Sequence, residues 1–342
     1  MTRTARRRWT REISSEVDGI AVNQTGPVLL HGYDPPAGGR WVDSAIPGKL
    51  ACLDRATGEL RWNSPCEVGY GRGFGAGFGA DNDAIVLGPS ASSGHRIVRM
   101  SLENGELVAI KDIDTFDEAL VDTDLCVCSS AQRVFGTDTG TLEELWSYAR
   151  KGERYHHIGR IGDRVFVVFT HTTSKKQGVL TLDARTGRPK GVLLAANQDV
   201  IHDLAVDDHA VCLLLSNLTA ALPQSVLLEH LMNNPDDDGS SSDGLGLFAM
   251  EPGAAEGDAP LWYEALGAGE EGDEAPELAV SADCGKVYVI NGALLDVRDA
   301  LTGRALGDWA IPGLDERVAW KVSQGGGLLA EETRVSVFEL PA

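Results

Sequence analysis

Nowhere in the 342 residues is there a run of 18 or more apolar residues, so no segment reads as a membrane-spanning helix. Basic charge is short: 30 Lys and Arg stand against 51 Asp and Glu, a formal net charge of −21. A surface so negative does not suit phosphate backbones or anionic lipid, which removes nucleic acid and membrane from the expected partners. Cysteine is sparse and scattered (52, 66, 126, 128, 212 and 284), with no CxxC or CxxCH spacing. Cys126 and Cys128 share one face of a strand-like stretch, and all six read as reduced thiols filling core space. Residues Met1 to Trp9 carry the charge of an export signal's first region, but the polar Thr10 to Glu16 follow in place of its apolar core. Reduced thiols without an export signal give a cytoplasmic expectation. HExxH and P-loop motifs are missing, and Gly88 to Ser92 fails the serine-hydrolase elbow at its last position.

What the chain has in excess is glycine, 40 residues, and much of it marks a repeat. Cys52-Leu53-Asp54-Arg55-Ala56-Thr57-Gly58-Glu59-Leu60-Arg61-Trp62 reads as a strand end, a tight turn and a new strand. The Asp-x-x-Thr-Gly phrase returns at Asp183 to Gly187 and at Asp299 to Gly303, the latter followed by Trp309. Looser copies are Met100 to Leu107 with Gly105, Phe135 to Gly140 with Asp138 and then Trp146, and Glu251 to Gly253 with Trp262. The carboxylate accepts hydrogen bonds from amides two and three residues on, and glycine takes the positive φ that the turn needs. The glycines are spaced by 47, 35, 47, 66 and 50 residues, which fits one structural unit with loop insertions. Between the phrases lie strand patterns such as Arg164 to Phe169, Ala210 to Leu215 and Lys286 to Ile290. Short strands with frequent turn signals and almost no helical periodicity imply an all-β chain, and four strands per ~45 residues is the count of a propeller blade.

Six units carry the phrase, at roughly 20–66, 77–113, 118–150, 156–195, 201–266 and 277–311. A seventh, 318–340, holds only three strands. Arg8-Trp9 to Glu16-Val17 resembles Arg61-Trp62 to Glu67-Val68, so residues 7–13 are expected to supply the missing strand. The fold class predicted is a single seven-bladed β-propeller, closed by its N-terminal strand joining the last blade. Trp9, Trp62, Trp146, Trp262 and Trp309 are placed in equivalent outer-strand positions.

The phrase Asp-x-x-Thr-Gly-x-x-x-Trp from Asp54 to Trp62 resembles the tryptophan-docking repeat of the PQQ-like (quinoprotein-type) β-propeller superfamily. The resemblance covers nearly the whole chain as blades. It implies a propeller, in a superfamily that includes periplasmic quinoprotein dehydrogenases and the outer-membrane assembly lipoprotein of the BamB type. Those members resemble exported, eight-bladed rings, from which this chain departs. A quinoprotein enzyme implies an adjacent Cys-Cys pair, which Cys126-Val127-Cys128 is not. No catalytic residue and no cofactor is predicted.

Three stretches are candidates for a site. The alternating glycines of Gly69 to Gly79, with Tyr70, Phe74 and Phe78 between them, suit a strand or wide loop where backbones crowd near the axis. His156, His157, His171 and His202 fall near strand ends of blades four and five, where convergence would offer a metal site. The third is the insertion 222–244 in blade five. Pro223 and Ser225 open a helix there that Pro235 ends, and Leu227, Leu228, Leu231 and Met232 are candidate partner-binding residues. Beyond it Asn234, Asp236, Asp238 and Asp243 form a calcium candidate, although the closing Glu of an EF-hand loop would fall on Leu245. A second acidic insertion, 267–277, reads as a solvated loop. Together these point to a non-catalytic binding or scaffold propeller, monomeric by itself, with a protein partner of basic character. The alternative class is an enzyme, or a small-molecule or metal sensor, that uses the central channel.

Overall fold

Consecutive apolar residues in short runs, such as Leu125-Cys126-Val127-Cys128, leave strands with two faces to bury, and stacked four-stranded sheets satisfy both. The computed structural model describes all residues except 1, 23–25, 35–45, 72, 91–93, 199, 219, 234–244, 268–277, 324–325 and 341–342. Two strands come first, β1 (Arg3–Thr4) and β2 (Arg6–Glu12). Blade one is β3 (Glu16–Val22), β4 (Val28–Tyr33), β5 (Gly48–Leu53) and β6 (Leu60–Cys66). Blade two is β7 (Gly75–Phe78), β8 (Asp83–Pro89), β9 (His95–Ser101) and β10 (Leu107–Ile113). Blade three is β11 (Glu118–Val121), β12 (Leu125–Ser129), β13 (Val134–Asp138) and β14 (Glu144–Tyr148). Blade four is β15 (Glu153–Ile161), β16 (Arg164–His171), β17 (Gln177–Asp183) and β18 (Pro189–Ala196). Blade five is β19 (Ile201–Val206), β20 (Val211–Leu215), β21 (Leu245–Met250) and β22 (Trp262–Gly267), with the helix α1 (Gln224–Asn233) between β20 and β21. Blade six is β23 (Leu278–Asp283), β24 (Lys286–Asn291), β25 (Leu294–Asp299) and β26 (Ala305–Ala310).

The last three strands, β27 (Ala319–Ser323), β28 (Gly326–Glu331) and β29 (Arg334–Glu339), form blade seven together with β2. β2 pairs antiparallel with β29, from Arg6 opposite Glu339 to Glu12 opposite Arg334. The first long strand of the chain therefore completes its last blade, and the fold is a seven-bladed β-propeller. One compact unit holds residues 5–148 and 312–342, which is blades seven, one, two and three. The other holds residues 149–311 with 1–4, which is blades four, five and six and the short strand β1. In the first, apolar clusters fill the spaces between blades seven and one, one and two, and two and three. In the second they fill those between four and five and between five and six.

The turn phrase and the tryptophans join neighbouring blades within each unit. Trp9 Nε1 donates to the Arg55 carbonyl at 2.9 Å, Trp62 Nε1 to that of Leu102 at 2.9 Å, and Trp262 Nε1 to that of Ala300 at 2.8 Å. Each acceptor belongs to the strand-connecting turn of the following blade. A Cβ on Gly58, Gly105 or Gly303 would lie 2.7, 2.6 and 2.6 Å from the Trp9, Trp62 and Trp262 rings, and all three glycines have positive φ. Glycine is thus required twice there, for the backbone and for the ring.

Where the pattern breaks, it breaks in pairs. In β10, Ala109 stands opposite Arg99 where Trp62 stands opposite Cys52 in β6. In blade three's turn the left-handed residue is Leu142, with φ 61°, and its N–H reaches the Asp138 carbonyl at 2.9 Å. Gly140, placed at that position by the sequence reading, lies two residues earlier. Leu142 is buried in the cluster against which Ala109 packs, so bulk moves from the strand of one blade to the turn of the next. Trp309 is also displaced. Gly307 stands opposite Val297 in the equivalent position, while Trp309 is two residues on, opposite Leu295, with the Arg3 guanidinium 5.6 Å from its ring. β1 adds to the edge of β26 in parallel, Arg3 opposite Trp309 and Thr4 opposite Ala310.

Candidate functional site

The glycine-rich stretch forms the inner strand β7. A Cβ on Gly75 would meet that of Ala119 at 2.7 Å, and one on Gly77 would meet that of Val121 at 2.6 Å. The glycines let β7 and β11 approach at side-chain-free distance, which is a packing role.

The inner strands carry polar groups at β-bulges, where an extra residue re-aims its side chain. In β3 the bulge falls at Asp18, whose Oδ1 is 2.5 Å from His31 Nδ1. His31 is buried, its Nε2 is 3.0 Å from the Val68 carbonyl, and its ring stacks on Phe74 at 4.6 Å. A carbonyl can only accept, so the Nε2 of His31 carries a proton. Beside it the Tyr33 hydroxyl is pushed well up, first by burial and then by its hydrogen bond with Glu16. The arrangement fixes the inner end of blade one and offers no activated nucleophile.

In β15 the bulge falls at His157, with φ 46°, and in β19 at His202. His157 Nδ1 is 3.9 Å from Asp203 Oδ1, and Asp203 Oδ2 accepts the Val280 N–H at 2.9 Å. Burial, helped by the neighbouring His202, outweighs Asp203 and holds the His157 imidazole below its usual range. His156 meets the His157 ring edge-on, centroids 5.0 Å apart, and its Nε2 lies 3.0 Å from the side-chain amide nitrogen of Gln177. His171 ends β16, where its Nδ1 accepts from Ser174 N at 3.4 Å. Of the four histidines, then, His156 and His202 both neighbour His157, with Asp203, and His171 stands away from them. Among the described residues no group of three or more His, Cys, Asp or Glu could hold a metal ion.

Five of the six cysteines are buried; Cys284 is exposed at the turn between β23 and β24, a correction to the reading of all six as core residues. Burial pushes the Cys52 and Cys66 thiols up to about 11, so both stay protonated and unreactive.

The helix predicted in blade five runs from Gln224 to Asn233, and its first turn is set by the Leu227 N–H on the Pro223 carbonyl at 2.8 Å. Val226 and Leu227 pack against the apolar cluster between blades four and five. Leu228 is 57% exposed and Met232 82% exposed on the outward side. The Leu231 side chain, the calcium candidates Asn234, Asp236, Asp238 and Asp243, and the acidic loop after Gly267 lie outside the described residues. The sequence reading missed the exposed aliphatic edge of β10, with Leu107, Val108 and Ile110. The signal available was the uninterrupted apolar run Leu107-Val108-Ala109-Ile110 at the start of an outer strand, where β2 begins with arginines and β18 with Pro189-Lys190.

A family profile described as outer membrane protein assembly factor BamB matches residues 2–213, more than half of the chain. The chain belongs to this family. Its PQQ-like repeats are the blades described above, and the tryptophan docking recurs at three of their junctions. BamB from Moraxella catarrhalis is similar in structure, with a TM-score of 0.54 and 12% identity over 98% of this chain and 100% of that one. The computationally designed Ika8 protein is similar too, with a TM-score of 0.51 and 12% identity over 96% and 98% of the two chains. Likeness at that identity speaks for the fold alone. No curated protein matches the sequence.

Proposed function

We propose that this BamB-family propeller is a non-catalytic binding module that holds a protein partner in the cytoplasm. The observation that carries the reading is the blade-five helix. One face is fastened to its blade through Val226 and Leu227, and the other presents Leu228 and Met232 to solvent. Large exposed apolar side chains on an anchored element are what a protein partner buries. Family membership supports protein binding, since the profile is named for an assembly factor. Six free thiols support a reducing compartment. The net charge of −21 favours a basic partner and salt-sensitive association.

The test is affinity capture from the source cells with wild type and with the Leu228→Glu, Met232→Glu double variant. Both positions are exposed, so the variant is expected to melt as wild type does. Partners held by wild type and lost by the variant are the expected result. The same partners at the same yield would overturn the helix as the docking element.

A further inference from the structure

The outer strands of this chain handle their exposed edges differently. β2 carries the exposed Arg6, Arg7 and Arg8, and β18 begins with the exposed Pro189 and Lys190. Charge and proline are the usual protections of a strand edge. β26 is covered, because β1 adds to it. Along its first four residues β10 has neither charge nor proline, only a β-bulge at Val108. Leu107 is 53% exposed, Val108 46% and Ile110 42%, a concentration of exposed aliphatics that no other outer strand has among the described residues. It also lacks the tryptophan of the repeat, with Ala109 in that position.

The surroundings of this aliphatic strip are acidic. Glu103 and Glu106 are exposed at its N-terminal end; at its C-terminal end Asp112 and Asp114 are exposed as well, Asp112 standing 3.1 Å from the Arg96 guanidinium. Lys111, the strand's own cation, is engaged by Glu143 at 2.5 Å. Beyond Ile113 the strand leads to an open cavity of about 490 Å³, lined by Asp114, Phe116, Asp117 and Arg133 among others. Arg133 is held there by Asp114 at 2.6 Å and by Glu144 at 3.0 Å.

We propose that β10 is a docking edge that takes up, by strand addition, an extended segment of a partner protein. That segment is aliphatic at its centre and flanked by Lys or Arg. Main-chain hydrogen bonds to the free side of β10 supply affinity, and the side chains set the choice. The aliphatic centre covers Leu107, Val108 and Ile110, while the basic flanks meet Glu103 and Glu106 at one end and Asp112 and Asp114 at the other. The chain itself contains a precedent, since the arginine-bearing β1 is an extended segment added to the outer edge of blade six. The proposal is independent of the blade-five helix, and either surface can fail without the other.

The test uses the full-length protein and a fluorescent nine-residue peptide, Val-Thr-Val-Thr-Val between pairs of lysines, titrated at low salt. Saturable binding is expected. It should be about tenfold or more weaker for the Val108→Lys, Ile110→Lys variant, for a peptide with glutamate flanks, and for one N-methylated on alternate amides. Both substituted positions are exposed, and equal melting temperatures will show that the variant is folded. Hydrogen exchange should slow at the amides of residues 107–113 in the complex. No binding of the lysine-flanked peptide overturns the proposal. So does binding that the β10 variant leaves unchanged, or equal binding of the N-methylated peptide.

Discussion

Asp54 shows what one side chain contributes to a blade. Its Oδ1 accepts from the Ala56 and Thr57 N–H groups at 3.0 Å each, and its Oδ2 from Arg61 Nη2 at 2.7 Å. Arg61 first, and the Thr57 amide next, hold the carboxyl down at about 2. A folded value below the ordinary ~3.9 means stability that is complete above that pH and lost as pH falls through about 2. The Asp54→Asn variant should therefore melt below wild type at pH 6, with the gap closing between about pH 4 and pH 2. A gap that stays constant over that range would show that the charge is not what the turn uses. A second residue-scale expectation concerns the thiols. Of the six, Cys284 alone is exposed, so a thiol reagent should titrate one group in the native protein and all six after unfolding. A native count above one would contradict the burial of the others.

At the scale of the element, the junction of blades two and three is the informative one. At three other junctions a tryptophan presses on a glycine, and here Ala109 faces the buried Leu142. Leu142→Gly alone relieves a positive φ but empties a packed site, a loss of about 2–5 kcal/mol. Ala109→Trp alone forces a ring into space that Leu142 fills, which costs about 1–3 kcal/mol. The double variant rebuilds the pattern of the other junctions. It should be less destabilised than the sum of the singles by about 0.5–3 kcal/mol, as measured by urea unfolding. Additive losses would mean that the two positions do not exchange bulk.

The same junction shows how far the sequence could be read. Asp54, Asp183 and Asp299 were legible because each phrase keeps its Thr and Gly in register. The Trp9 strand was legible because Arg8-Trp9 repeats Arg61-Trp62. Gly140 misled because glycine marks a left-handed turn only when the spacing from the aspartate is right, and at the right spacing stands Leu142. Trp309 misled for a similar reason: it lies ten residues after Asp299 where Trp62 lies eight after Asp54, so with the bulge in the same place Gly307 takes the tryptophan's position. The helix in blade five was legible from Pro223 and its apolar spacing. Which of its leucines point outward was not, because Leu227 and Leu228 differ only in the face that the blade covers. The edge of β10 was hidden for another reason: an exposed aliphatic strand and a buried one are written in the same residues.

For the whole molecule, the net charge of −21 and the fold are separate matters. The blades are held by apolar clusters between sheets and by tryptophan-to-turn hydrogen bonds, while most of the charge lies on edges and loops, the buried Arg298 with Asp296 and Glu264 being an exception. Order in blade seven depends on the far end of the chain. β2 contributes the fourth strand, the Trp9 bond to Arg55, and ion pairs from Arg8 to Glu339 at 3.1 Å. Removing residues 1–12 deletes β1 and β2, bares the edge of β29 and empties the space against Gly58. The expected loss is several kcal/mol, a large part of a total of about 5–15, and a fall in melting temperature on the order of 10 °C. The decisive measurement is the melting temperature of the chain lacking residues 1–12, alone and with a synthetic peptide of those residues added back. A large drop that the peptide reverses in a saturable way is the expected result. A truncated chain that melts as the full chain does would contradict a propeller whose last blade is completed by its first long strand.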